Sequence, residues 1–333
     1  MSVGSASLMR RKPASLSRLP RPGISETLPW VLLVILWILD TSLQPALWSS
    51  EQIGLTLANG MALVLVAMAE TAVIITRGID LSVGGMMAIS NTLLAREVGG
   101  STTSVLLWCA IVLIIGAAGG ALNGILIGVT RLQPFVVTLA TWSIFDGIAL
   151  WILPTTGGSI PNSLITLPLG TWLGLPRTVW FLVLLIAIWA VLARTRSGRA
   201  VYALGSDPVA ARLSGVSRRK TSIKVYAFSG VCAAAAGIFI ATQTASGSPT
   251  VGDPFILSAV AATVIGGTSL FGGKGGFAGT VAGAFVFTLI NGVTFQLGIN
   301  SYWGELSQGL LLIVAVALHH ATERGARARG RRR

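Results

Sequence analysis

Apolar runs of bilayer length follow one another along this chain, separated only by short polar breaks. A helix needs about 20 apolar residues to cross the hydrocarbon core of a membrane, and it satisfies its own backbone there. Ten segments fit: 28–48, 52–75, 81–97, 103–129, 134–153, 178–194, 222–244, 254–271, 276–297 and 303–320. The segment 81–97 is short, and 28–48 carries Asp40 and Pro45. The expected fold class is an all-α polytopic membrane protein of about ten transmembrane helices. Only 11% of the 333 residues are charged, against about 25% in soluble domains. A soluble fold would have to bury nearly every helix on all sides.

The net charge is +13, and its placement argues for orientation in a membrane and against nucleic acid. With the N-terminus on the cytoplasmic side, all Lys and Arg except Arg96 and Arg177 fall inside. An odd number of spans would put the two basic tails on opposite sides, so both termini are expected in the cytoplasm. Residues 1–27 read as a disordered basic tail, 28–320 as the membrane domain with a cytoplasmic loop at 194–222, and 321–333 as a second basic tail. Glu51, Glu97, Asp253 and Glu305 then fall on the outer side. Several tryptophans near span ends, Trp151 and Trp172 among them, suit the membrane interface.

Gly116, Gly120, Gly124 and Gly128 recur every fourth residue, making a bare stripe where another helix can approach closely. Gly275, Gly279 and Gly283 are expected to repeat that device at the start of the ninth span. Polar residues within the apolar runs, Asn59, Glu70, Asn123, Asp146 and Asn291 among them, are expensive in lipid and are candidates for lining a pathway. Each Asn is equally explained by a hydrogen bond between helices.

The loop contains a helix signature. Asp207 is a good N-cap, Pro208 suits the first helical position, and Gly215 stops the helix. Val209 and Leu213 share one face, with Arg212 off it. A short amphipathic helix at the cytoplasmic surface follows, resting on anionic lipid or docking a soluble partner.

Nothing in the chain supports covalent chemistry. GTSLFGGKGG, 267–276, fails as a P-loop at two positions, and no metal or hydrolase motif is present. Cys109 and Cys232 both lie in apolar runs. No enzyme activity and no cofactor bound by this chain are expected.

Three segments, RGIDLSVGGMMAIS (77–90), YALGSDPVAARLSGVS (202–217) and VIGGTSLFGGKGGFAGT (264–280), resemble the best-marked stretches of one family. It is the permease subunit of bacterial ABC importers for monosaccharides of the ribose, xylose, arabinose and galactose type. The resemblance covers roughly 50–318. It implies an inner-membrane permease used twice per transporter, as two copies or beside a sister permease. A cytoplasmic ATPase that consumes ATP and Mg would dock on it, and a periplasmic sugar-binding protein would deliver substrate for alternating access. The coupling helix would lie at 205–216, with Gly205, Asp207, Ala211, Arg212 and Gly215 carried over. Family members commonly have Asn where this chain has Asp207, and both residues cap helices.

TRGIDLSVGG, 76–85, is the turn between the second and third spans. Gly78 is expected to relax the backbone there, and Asp80 or Ser82 to cap the next helix. By the resemblance, this turn would lie near the inner mouth, with Arg77, Gly78, Asp80 and Ser82 forming an inner gate and Arg77 pairing with Asp80. The rival readings are an ion-coupled secondary transporter using Glu70 or Asp146, a membrane scaffold, and a permease for branched-chain amino acids.

Overall fold

The computed structural model describes residues 24–44, 48–130 and 132–300, with isolated helical positions between 303 and 313. The expected span 303–320 and most of both basic tails lie outside the described residues. The described chain is a bundle of helices: α1 (Ile24–Leu43), α2 (Ser50–Ile75), α3 (Ser82–Glu97), α4 (Thr102–Thr130), α5 (Pro134–Ile152), α6 (Asn162–Ile165), α7 (Arg177–Arg194), α8 (Arg196–Ser206), α9 (Pro208–Leu213), α10 (Arg218–Thr244), α11 (Asp253–Ile265) and α12 (Phe277–Gln296). Among the described residues, six helices are long and apolar enough to cross a membrane: α2, α4, α5, α7, α10 and α12. The apolar part of α1, α3 and α11 are shorter.

Three expectations are corrected. Residues 24–27 belong to α1 and not to a tail. A two-stranded antiparallel hairpin, β1 (Thr171–Trp172) and β2 (Leu175–Pro176), interrupts the all-helical plan. Its two-residue turn places both Leu173 and Gly174 at positive φ, as tight hairpins require. The span expected at 254–271 ends at Ile265, because Gly267, Gly272, Gly273 and Gly275 take positive φ and fold 266–276 into a loop. Gly275 therefore lies in that loop and is not part of a helical stripe.

α2 is the central element, buried almost continuously from Ala58 to Ile75. α10 packs against α2, α3 and α4, α5 covers α3, and α12 packs between α1, α2 and α11. The glycine stripe of α4 does what its spacing predicts. A Cβ at Gly116, Gly120 or Gly124 would run into the α10 backbone at Gly230, Tyr226 and Ile223 respectively. Gly279 and Gly283 meet Gly266 and Ala262 in the same manner at the α11–α12 contact. In lipid such contacts matter because close packing replaces the missing hydrophobic drive between helices.

The bundle has a basic end, where α7 stops, α8 and α9 lie, and α10 starts with Arg218, Arg219 and Lys220. The opposite end holds the hairpin and the Asp40–Gln296 hydrogen bond (2.8 Å) between α1 and α12.

Between α10 and α11 the chain does not simply turn. Gly247 pairs with Gly157 at the end of the bundle away from α8 and packs on Ala95, and the Ser248 N–H donates to Asn91 Oδ1 (2.7 Å). Gly252 then reaches the backbone of Gly84, near the start of α3. Residues 247–252 thus run back along α3, and α11 starts beside Gly84, near the start of α3, with Asp253 and Pro254 exposed. Asp253, expected at the outer surface, is the exposed first residue of α11, at the level of Gly84 and not at the far end of α3.

Candidate functional site

The loop 194–222 holds more helix than its composition predicts. Thr195 accepts from the Gly198 N–H (3.1 Å) and starts α8, an eleven-residue helix not anticipated from the sequence. Ala200, Val201 and Leu204 at helical spacing are the signal that could have found it. Asp207 separates α8 from α9 and caps the latter, accepting from the N–H groups of Val209 (2.8 Å) and Ala210 (3.1 Å). Those two backbone donors hold its carboxyl below the usual range. Gly215, at φ 81°, ends the turn, and the Val216 N–H returns to the Ala211 carbonyl (2.9 Å). Ala211 is the buried anchor of α9, while Val209 and Leu213 are 61% and 81% exposed. Arg212 is exposed as well.

At the end of α8 three distant segments meet. Arg77 adopts φ 68°, a strained value for a non-glycine residue. Its Nε donates to the Gly205 carbonyl (2.7 Å) and its Nη2 to the Ser206 carbonyl (2.8 Å). These are orphan carbonyls at a helix C-terminus, where a cation is also favoured. The Gly273 N–H donates to the Ile75 carbonyl (2.9 Å). Gly205 has no room for a Cβ between Ile75 and Gly273, and Gly272 none beside Arg77. Tyr202 adds a hydrogen bond from its hydroxyl to the Gly275 carbonyl (2.9 Å). The joint therefore ties α2, α8 and the 266–276 loop together through backbone groups and one guanidinium.

The expected Arg77–Asp80 pair does not form. Arg77 points to α8, while Asp80 turns inward and is 1% exposed. Asp80 Oδ1 accepts from the N–H (3.1 Å) and hydroxyl (2.6 Å) of Ser82, and Oδ2 from the Ser229 hydroxyl (2.7 Å). Ser82 Oγ accepts from Asn123 Nδ2 (2.8 Å), and the Asp80 N–H faces Glu70 Oε1 (3.3 Å). Glu70 and Asn123, two candidate lining residues, are thereby sealed in a polar knot with no solvent access. A buried carboxylate needs such donors to offset its desolvation. Gly78 is needed for space and not for an unusual φ: a Cβ there would lie 2.5 Å from the Tyr226 hydroxyl.

The remaining candidates separate. Asn59 and Asn291 are exposed on α2 and α12. Asp146, half-buried on α5, instead faces the start of α11. The Asp253 carboxyl lies close enough to act on it electrostatically, and the Trp142 indole lies beside both carboxylates. Trp142 Nε1 and Asp146 Oδ1 make no hydrogen bond of ordinary geometry. Gly85 lets α3 approach Trp142 and Phe145 of this same wall. Trp142 was not singled out from the sequence, and Asp253 was read only as an outer-side charge. The sequence GDP at 252–254 was the available signal, since Asp followed by Pro opens helices.

Residues 52–316 match the family described as branched-chain amino acid transport system / permease component. The chain belongs to this permease family. Ribose import permease protein RbsC of Escherichia coli K12 is 35% identical over 294 residues, covering 86% of this chain and 90% of that protein. RbsC of Bacillus subtilis is 35% identical over 304 residues, covering 89% and 93%. The D-allose transport system permease protein AlsC of E. coli K12 is 35% identical over 257 residues, covering 77% and 79%. No solved structure matches. The permease is a multi-pass protein of the inner membrane, and the segments that carried the family resemblance are those that converge at the Arg77 joint.

Proposed function

We propose that this permease carries a monosaccharide, a pentose, hexose or related polyol, across the inner membrane in an ATP-driven importer. The relatives matched over most of their length carry ribose and allose in their names, which favours a sugar although the family description names amino acids. The full chain would have ten spans with both tails cytoplasmic, α3 and α11 among the short ones.

The observation that carries the mechanism is the joint between α8 and the α2–α3 turn. A cytoplasmic ATPase binding ATP and Mg would grip α9 through exposed Val209 and Leu213. Gly205, Asp207, Ala211, Arg212 and Gly215 shape that element. A push on α9 would move α8, and Arg77 would pass the motion to the turn that leads through Asp80 and Ser82 into α3. The α3 start touches the α11 start at Gly84 and Gly252. Displacing it would open or close the wall that carries Trp142, Asp146 and Asp253. Hydroxyls of a sugar suit unpaired carboxylate and indole groups, and a flat sugar face suits an aromatic ring. Gating thus falls to the Arg77 joint and the Gly84–Gly252 contact, not to an Arg77–Asp80 pair. A second copy or sister permease and a periplasmic sugar-binding protein complete the assembly.

The test is reconstitution of the permease with its ATPase and binding protein in liposomes. ATP-dependent uptake of ribose or another monosaccharide, with none of leucine, is expected. Leucine uptake under the same conditions would move the permease to the amino-acid branch. Sugar uptake by the permease alone, driven by a proton gradient, would establish the secondary-transporter reading.

A further inference from the structure

At the basic end, α7 and α10 stand apart, and the gap between them is a cavity of about 550 Å³ floored by Ala72 of α2 and closed below by α8. Its inner walls are apolar: Trp189 and Leu192 from α7, Val201 from α8, Val225 and Phe228 from α10. Its rim is basic, with Arg196, Lys220 and Lys224 exposed there. No Asp or Glu lines it. Lys224 Nζ donates to the Ser197 hydroxyl (2.9 Å), which holds one ammonium in place at the mouth. Phe228 lies eight residues beyond Lys220 on α10, so about 12 Å deeper at helical rise. α7 buries only Thr178, and nine of its eighteen residues are exposed.

We propose that this cavity is a binding site for one anionic phospholipid, its phosphate held by Arg196, Lys220 and Lys224 and an acyl chain laid against Trp189, Val201 and Phe228. Charge and depth both select this occupant. Three cations without a counter-charge at the level where α7 ends match a lipid phosphate, and the apolar slot running inward matches a chain and excludes a free anion or a sugar. Basic clusters at that depth favour anionic over zwitterionic headgroups. The site would fasten α8 to α7 and α10, next to the coupling helix. It does not depend on which solute is carried.

The test uses the full-length permease in detergent, titrated with phosphatidylglycerol or phosphatidylcholine and read by native mass spectrometry. One phosphatidylglycerol per chain is expected to bind at least about tenfold more tightly than phosphatidylcholine. The triple variant Arg196→Gln, Lys220→Gln, Lys224→Gln should lose this preference. Arg199→Gln, Arg212→Gln, Arg219→Gln removes the same charge from neighbouring positions outside the cavity and should keep it. Val201→Trp should weaken lipid retention with no change of charge. Equal loss in both triple variants would overturn the proposal in favour of diffuse attraction. So would equal affinity for the two lipids, or displacement of the lipid by millimolar inorganic phosphate. Unaltered retention in Val201→Trp would likewise remove the cavity as the place where the chain lies.

Discussion

Two of the backbone contacts that glycines make in this permease serve different ends. Along α4 and α10 the stripe Gly116, Gly120, Gly124 meets Gly230, Tyr226 and Ile223 over several turns. Along this seam the gain comes from close backbone packing over several turns. At Gly84 and Gly252 the contact is a single point between two helix starts, beside Trp142, Asp146 and Asp253. Trp142 Nε1 and Asp146 Oδ1 lie unpaired there, and the chain runs to that point from Arg77 by way of the α2–α3 turn. A long bare seam resists movement. A point contact between helix ends can open without unzipping a helix pair.

Gly120→Leu should have the largest effect. It forces a side chain into the Tyr226 carbonyl, costing about 3 kcal/mol, and should leave little intact permease in the membrane. Normal amounts of thermally stable protein would show that the α4–α10 seam yields as the point contact does. Gly252→Ala also meets backbone, but at one point. It should abolish uptake while membrane level and melting temperature stay near wild type, and a collapse in membrane level would erase the distinction between the two contacts.

Arg77→Gln removes both guanidinium bonds to α8. Uptake should fall at least about tenfold, with ATP hydrolysis by the assembled transporter persisting but no longer driving sugar. Unchanged coupling would mean that the point contact is not reached through this joint. Asp207→Ala, which removes the α9 cap, should lower uptake roughly threefold, whereas Asp207→Asn should match wild type.

The smallest effect concerns pH. The Asp207 carboxyl lies below its usual range because Ala210 and Val209 donate to it. A depressed folded value stabilises above the unfolded value and is lost as pH falls through the folded one. Protection of the 208–213 amides relative to their intrinsic exchange rates should therefore stay constant from pH 8 to about 5 and fall only below about 4. Loss of protection near pH 6 would contradict that cap.

Much of the fold was legible in single residues. The bounds of α2, α4, α5, α7 and α12 fall within two residues of the apolar runs, because a membrane helix must be apolar for its whole length. Asp207, Pro208 and Gly215 marked α9 because capping is local chemistry. Asp80 was readable as a partner for the start of the next helix, since Ser82 is two residues away, although the N-cap position itself falls to Leu81, which makes no side-chain cap bond.

What the sequence determined by itself is therefore the membrane class, most helix bounds, the stripe on α4 and the shape of α9. All depend on residues within a few turns of one another. The tertiary structure alone decided that Arg77 reaches across to α8 and not three residues along to Asp80, that Glu70 and Asn123 close into a sealed knot while Asp146 faces Asp253, and that residues 247–252 dive back along α3. Each of these is a choice among several chemically equal partners. A guanidinium is satisfied by a carboxylate or by a carbonyl at a helix end, and only the packing of helices far apart in the chain brings one within reach and takes the other away.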